Sequence, residues 1–343
     1  MSSAPSTSHG QAPSPAIVFN TLNAYQRTNA LRGAIELDLF TAIAEGNTTS
    51  SAIAARIQAS EKGTRVLCDF LTVMEFLTKL NGQYGLTATA AAFLNRHSPA
   101  YLGTIVEFIG DPRLTGDFSD IAGIVRKGGT LLEGEGTVEP DNPIWVEFAD
   151  SMAPLAGMSA ALLANMLEAS KGAKWKVLDV AAGHGLFGIT IAQQNPNAQV
   201  VALDWRAVLE VARRNAAKAG VADRFSTKPG SAFDVDLGSG YDLVLITNFL
   251  HHFSPEVNEG LMRRIHAGLA AGGRAVTVEF VPNEDRVTPA TDAMFSMMML
   301  GTTAHGDAYT FAEYDRMFRN AGFERNEMRE LAPSPQRVIV SYK

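Results

Sequence analysis

The sequence predicts an α/β fold: a mostly parallel sheet with helices on both faces, preceded by an all-α module with a winged-helix pattern. Three observations predict it. From Lys176 onward, short apolar runs ending in small or acidic residues alternate with helix-spaced segments, as in βαβ units. The first run, Lys176-Val177-Leu178-Asp179-Val180, passes through the small-residue turn Ala181-Ala182-Gly183-His184-Gly185 into a helix that opens near Leu186. Before residue 98 the apolar spacing is helical until Gly82, Tyr84 and Leu86 mark a small β-wing.

At 343 residues the chain has room for two domains of ordinary size. The expected division is a disordered leader over 1–15, a winged-helix-like dimerisation domain over 16–98, linking helices over 99–170 and the sheet domain over 171–343. The leader is rich in Ser, Ala and Pro without an apolar signal-peptide core, and no later segment has the uninterrupted apolar length of a membrane span. A cytoplasmic protein with no membrane partner is expected. The formal net charge of −7, with no basic run, argues against a nucleic-acid surface. The one cysteine, Cys68, excludes an internal disulfide and a multi-cysteine metal site, and its apolar neighbours mark it as a core thiol. No metal is expected.

Apolar residues from Ala16 to Ala44 recur at helical spacing and predict two helices. Thr48-Thr49-Ser50 can cap a short helix over 51–58, and Ser60-Glu61 opens another, expected to run through Leu77. A winged-helix element invites a DNA-binding reading, but up to Arg96 cations barely outnumber anions, and phosphate binding needs a basic face. The apolar first helices therefore read as the cover of a second copy, a homodimer. Between Pro99 and Glu168 the helical pattern is broken at Gly128-Gly129 and Gly134-Glu135-Gly136. The helical stretches just before the sheet domain are placed to wall a cleft, which makes Phe148, Met152 and Met158 candidate substrate contacts.

Gly183-His184-Gly185-Leu186-Phe187-Gly188 satisfies G-x-G-x-x-G, the dinucleotide fingerprint, and Asp204 follows at about the distance that fingerprint expects. Asp179 argues for a different ligand. A carboxylate at the end of the first strand repels a diphosphate and suits a cation, and S-adenosyl-L-methionine carries a sulfonium and an ammonium but no phosphate. The alternative is that Asp179 only caps the turn. Small residues at Ala181, Gly183 and Gly185 favour close approach of backbone to a ligand, beside the unpaired N–H groups of the helix N-terminus.

Gln199 to Asp204 reads as a second buried strand whose terminal carboxylate can accept both ribose hydroxyls, with Trp205 able to flank the adenine. Gly230-Ser231-Ala232-Phe233-Asp234 sits where a third strand should end; Phe233 can pack on a purine, and Ser231 or Asp234 can take its amino group. The fourth strand, Tyr241 to Ile246, runs into Thr247-Asn248-Phe249-Leu250-His251-His252, and the fifth, Gly273 to Phe280, carries Glu279. Right-handed connections place these polar residues, with Asn248 among the candidate cofactor contacts, on the carboxyl edge of a parallel sheet, where ligands bind.

Together these motifs resemble the class I S-adenosylmethionine-dependent methyltransferases, specifically the small-molecule O-methyltransferase family of plant phenolic and bacterial natural-product enzymes. Residues 177–185 resemble its cofactor loop, Asp204 its ribose acid and Gly230-Ser231-Ala232-Phe233 its adenine segment. Leu250-His251-His252-Phe253-Ser254-Pro255-Glu256 is similar to its catalytic Leu-His-Asp-Trp-Ser-Asp-Glu segment. The resemblance implies a Rossmann-like domain behind dimerisation helices, with His251 as general base and Glu279 as its supporting carboxylate. There are departures. Ala181 and Ala182 stand where glycines are common, Ser231 where an Asp usually contacts adenosine, and Ala308 where a Glu often positions the base. A single supporting carboxylate is implied, with Asp307 as a substitute for the missing one.

The expected reaction is methyl transfer from S-adenosyl-L-methionine to a small-molecule acceptor, at a hydroxyl of an aromatic or apolar metabolite. Two bound partners must be aligned for it, and a neutral imidazole can take the hydroxyl proton near pH 7. His251 is the expected base, with His252 or Glu279 holding its tautomer or the substrate. Met294 and Met298, from a methionine-rich run, and His305, in a loop beyond it, are candidate acceptor contacts. The alternatives are methylation of nitrogen, sulfur or carbon, cofactor binding without transfer, and a winged-helix regulator that senses S-adenosylmethionine.

Overall fold

The structure is a computed structural model that describes residues 13–343; residues 1–12 of the expected leader lie outside the described residues. The chain divides into two compact units between Gly103 and Thr104.

In the first unit the stretch from 16 to 44 forms three helices rather than two, Ala16–Leu22, Ala24–Glu36 and Leu39–Ala44, because Asp38 takes a left-handed φ of 57° and interrupts the run. Thr49 and Ser60 cap the helices Ser50–Arg56 and Glu61–Val73, their hydroxyls accepting from Ala52 N and Gly63 N. The second of these stops at Val73 instead of running through Leu77. Glu75 turns the chain at φ 65°, and Leu77 opens β1 (Leu77–Leu80). β1 pairs antiparallel with β2 (Gln83–Leu86) through Asn81-Gly82, both at positive φ, the two-residue turn whose twist matches a hairpin. Cys68 is fully buried, and burial pushes its thiol up to about 12. The first helix buries none of its residues: Ile17, Phe19 and Leu22 are 74%, 61% and 67% exposed. Val18 and Phe19 each share a face with Leu22 at i,i+4 and i,i+3 spacing, and an apolar face so exposed calls for a partner.

The second unit contains a seven-stranded sheet of β3 (Lys176–Val180), β4 (Gln199–Asp204), β5 (Phe225–Pro229), β6 (Tyr241–Thr247), β7 (Leu269–Glu279), β8 (Arg325–Glu330) and β9 (Arg337–Tyr342). Its order is β5-β4-β3-β6-β7-β9-β8. The strands from β3 to β7 pair in parallel, and β9 runs antiparallel to both β7 and β8. Side chains alternate between two cores: Val177, Leu243, Val276 and Val338 face one, while Leu178, Val244, Ala275 and Ile339 face the other. Helices Ala153–Met166, Leu186–Gln194 and Arg206–Lys218 cover the first face through residues such as Leu163, Ile191 and Leu209. Helices Pro255–Gly268 and Phe311–Asn320 cover the second through Leu261, Ile265 and Phe318. Successive strands step outward in one direction from β3 to β5 and in the other from β6 to β7. The carboxyl ends of β3 and β6 therefore flank the point where strand order reverses, the place such sheets keep for a ligand. Among the described residues no helix is long and apolar enough to cross a membrane.

Candidate active site

The turn after β3 has three residues at positive φ: Ala181 at 51°, Gly183 at 55° and Gly185 at 73°. The glycines of the fingerprint serve different purposes. Gly183 lines a cavity of about 450 Å³ at the carboxyl edge of the sheet. Gly185, expected beside the ligand, faces the core instead, where a Cβ would stand 3.0 Å from Ala212 Cβ and 3.2 Å from Phe225 Cζ. Gly188 lets the helix lie close on the sheet, since its Cβ would stand 2.8 Å from Val200 Cγ1 and 2.9 Å from Asp179 Oδ2. Ala181 has no such freedom and carries the strain of a left-handed alanine. Ala181→Gly is expected to stabilise the fold by roughly 0.5–1 kcal/mol, the relief of that strain less the entropy of a freer unfolded chain. A higher denaturant midpoint at unchanged slope would show it.

Asp179 also departs from its expected place. It shares the Val177 face of β3, is fully buried, and does not line the cavity. Its Oδ2 accepts from Gly188 N at 3.0 Å, so the carboxylate sits under the first turn of the following helix, where an anion is favoured, and it serves as the turn's anchor. Among the described residues its Oδ1 is buried without a partner. Burial pushes the carboxyl up to about 7; the Gly188 N–H opposes that rise and the charge of Asp204 adds to it.

Of the other residues expected at the cofactor, Ala181, Asp204, Trp205, Ser231, Ala232, Phe233 and Asn248 all line the cavity. Asp204 closes β4, with Oδ2 accepting from Gly183 N at 2.8 Å and Oδ1 from Trp205 N at 2.7 Å. These bonds tie the β4 end to the turn after β3. Burial pushes Asp204 up to about 6 against the two N–H groups. Ser231 Oγ accepts from Phe233 N at 3.1 Å, which turns the Phe233 ring toward Phe249 and Phe253, at centroid distances of 6.0 and 4.8 Å. The result is an aromatic wall able to take a purine.

Phe148 lines the cavity as expected of a cleft-walling helix, here Ile144–Ser151, but Met152 does not; it caps the helix Ala153–Met166 instead. Trp145 was not among the expected contacts, yet it lines the cavity edge-on to both Phe148 and His252, its Nε1 donating to Thr137 O at 2.9 Å. The segment around Glu135, Val138 and Pro140, legible in the sequence only as a glycine-marked loop, closes the same side. Met294, Met298 and His305 do not reach this cavity. Helix Ala290–Thr302 turns Asp292 and Met299 inward and leaves Met294 74% exposed, while His305 lines a separate groove with Met297 and Asp307. Met158 is exposed as well.

The histidines follow β6 on a single 3₁₀ turn, Leu250–His252. Glu279, fully buried at the end of β7, accepts at Oε1 from both Phe249 N and Leu250 N at 2.9 Å, and its Oε2 stands 2.5 Å from His251 Nδ1. A carboxylate only accepts, so Nδ1 carries the proton and the basic lone pair is on Nε2. Among the described residues Nε2 has no hydrogen-bond partner. His251 is 3% exposed, is not among the residues that line the cavity, and packs between His252 at 4.2 Å and Phe295 at 4.8 Å. His252 is the one that lines the cavity, with Nδ1 buried and unpaired among the described residues; burial, and then the neighbouring His251, hold its imidazole well below the ordinary range.

The turn is gripped from behind. Asn258 Nδ2 donates to Leu250 O at 2.9 Å, Tyr309 Oη to Phe253 O at 2.6 Å and Asp307 N to His251 O at 2.9 Å. Gly306 approaches so closely that a Cβ would fall 2.3 Å from His251 O. Asp307 is not a second support for the base, because its carboxylate turns outward to Arg286 at 3.2 Å. Ala308 is fully buried and brings no charge. Glu279 is the single carboxylate on His251 among the described residues.

A doubly wound sheet with an acid at the end of β4, no Lys or Arg among the described residues that line the cavity and a glutamate-held histidine after β6 has the architecture of a class I methyltransferase. Residues 142–324 match the O-methyltransferase domain family and residues 19–96 its dimerisation domain. The chain belongs to the O-methyltransferase family. It is 27% identical over 336 residues to the 3-hydroxy-5-methyl-1-naphthoate 3-O-methyltransferase of Streptomyces sahachiroi, covering 96% of this chain and 95% of that one. A crystal structure from Nostoc punctiforme, provisionally described as an O-methyltransferase, is 49% identical and superposes with a TM-score of 0.94 over 97% of this chain and all of its own. The structure of PigF with SAH, a protein known from Serratia, superposes at 0.84 with 25% identity over 96% of this chain and 100% of that chain.

Proposed function

We propose that the protein transfers a methyl group from S-adenosyl-L-methionine to a hydroxyl of a small aromatic or apolar acceptor, with His251 as general base, and that it works as a homodimer. The observation that carries this reading is the Glu279–His251 contact, set one residue from the cavity-lining His252.

The cavity suits the cofactor. Its volume of about 450 Å³ falls in the range of small-molecule sites. Its lining includes Glu135, Asp204 and Asp234 and no Lys or Arg, which favours a cationic nucleoside over a dinucleotide. Asp204 is placed for the ribose and Phe233, Phe249 and Phe253 for the adenine. When bound, S-adenosylmethionine supplies an electrophilic methyl group. The chain's own contribution is to hold the acceptor against Trp145, Phe148 and His252, and to take the hydroxyl proton at His251 Nε2 while Glu279 keeps Nδ1 protonated. The exposed apolar face of helix Ala16–Leu22 and the dimerisation-domain match support pairing through the N-terminal helices.

Calorimetric titration with S-adenosylmethionine tests the cofactor assignment. Asp204→Ala is expected to weaken binding by about tenfold or more, the loss of hydrogen bonds to a charged acceptor. Unchanged affinity would overturn the assignment. Because burial holds Asp204 near about 6 and the charged form is the better acceptor, wild-type affinity should be level above that pH and fall as pH drops through it. The Asp204→Ala variant should lose that pH dependence.

A further inference from the structure

Asn248 stands at the carboxyl end of β6 with φ at 54°, a left-handed conformation for a residue that lines the cavity. Strain of this kind persists where the surroundings enforce it, and it gathers at ligand sites. One of the two enforcing contacts comes from a part of the chain that no site motif touches. Asn248 N donates to Val278 O at 2.9 Å, and Asn248 Oδ1 accepts from Nε2 of Gln336, the residue just before β9. Gln336 is 8% exposed; its backbone N–H donates to Ser334 Oγ at 3.3 Å, which in turn lies 3.1 Å from Ser159 Oγ. Ser159, Ser334 and Gln336 are all buried. A buried polar chain like this costs more than an apolar packing of the same space unless its groups are satisfied. This one ends at the cavity wall, where Asn248 Nδ2 has no hydrogen-bond partner among the described residues. With its oxygen turned to Gln336, the amide group left unengaged is Nδ2, a donor.

We propose that Gln336 is a positioning residue: by occupying Oδ1 it turns the Asn248 amide so that Nδ2 donates into the cavity, to the carboxylate of bound S-adenosyl-L-methionine. This rests on the cofactor reading above. Asp204 closes β4 on one side of β3, and Asn248 closes β6 on the other. A ligand with its ribose at Asp204 that crosses the turn after β3 brings its amino-acid end to β6. A donor aimed at a carboxylate there makes a charge-assisted bond, the stronger kind.

The test compares two ligands by calorimetry, S-adenosylhomocysteine and 5′-methylthioadenosine, which has the nucleoside but no carboxylate. Gln336→Leu removes the hold on Oδ1 and should weaken S-adenosylhomocysteine by about tenfold. Gln336→Glu should weaken it further, although Glu is the closer isostere, because a carboxylate at 336 accepts from Nδ2 and turns Oδ1 into the cavity. Neither variant should change 5′-methylthioadenosine affinity. In an Asn248→Gly background, Gln336→Leu should have no further effect. The proposal is wrong if both ligands weaken alike, if the Leu and Glu variants are equivalent, or if the Leu effect survives in Asn248→Gly. Wild-type protein that binds neither ligand would overturn the cofactor reading itself.

Discussion

Replacing His251 by Ala is expected to lower kcat for methyl transfer by about 10²- to 10⁴-fold, the usual contribution of a positioned general base. S-adenosylmethionine affinity should stay close to wild type, since His251 is not among the residues that line the cavity. The site has no other group in the same position. Among the described residues His252, the adjacent imidazole, has an unpaired Nδ1 and no carboxylate to fix its tautomer, and Asp307 is committed to Arg286. The measurement is single-turnover transfer from labelled S-adenosylmethionine to a phenol that the wild type methylates. Full turnover in the variant would mean that alignment alone drives the reaction, without base catalysis. A loss confined to KM would make His251 a binding group. His252→Leu is the control: it should raise KM for the acceptor by removing a cavity-lining polar ring while the His251–Glu279 pair remains.

Residues that act where their strand ends were legible in the sequence; residues that act through the neighbours of their strand were not. Asp204 and Glu279 end recognisable apolar runs, His251 follows another and Phe233 follows a glycine-marked strand end, and the parallel alternation brings all four to one edge. Asp179 also ends such a run, yet strand alternation turns it onto the Val177 face and under a helix, a matter of register that the motif does not encode. Gly185 and Gly188 look equivalent to Gly183 in the fingerprint, but only the packed structure shows which glycine meets a ligand and which meets Ala212 or Val200. β8 escaped notice because Arg-Asn-Glu-Met-Arg-Glu reads as charge, which suits the edge strand it proves to be. Gln336 is illegible for a different reason: its partner lies 88 residues away and nothing local marks it. The methionine run was misleading in another way. Its spacing predicts the helix correctly, but the inward face belongs to Asp292 and Met299.

Glu279→Gln is expected to reduce kcat by about 10²-fold or more with little loss of stability, because it reverses the tautomer of His251. The orientation of the new amide is not free. Oε1 must accept from both Phe249 N and Leu250 N, so the amide oxygen has to occupy that position; an NH₂ there would face two donors. The NH₂ group is then directed at His251 Nδ1, which must become an acceptor, and the imidazole proton moves to Nε2. The nitrogen that faced the acceptor hydroxyl with a lone pair now presents a proton, and it can no longer take one. Glu279→Ala should behave differently. It leaves two backbone N–H groups and His251 Nδ1 without a partner in a fully buried place, and is expected to cost roughly 3 kcal/mol or more of stability, since each buried donor left unsatisfied costs about 1–3 kcal/mol. Thermal melts and single-turnover rates for both variants separate the two roles of this carboxylate. A Gln variant that melts normally and still turns over at the wild-type rate would show that the tautomer of His251 has no part in the chemistry. With Ala308 uncharged and Asp307 turned away, no second acid is at hand to restore it.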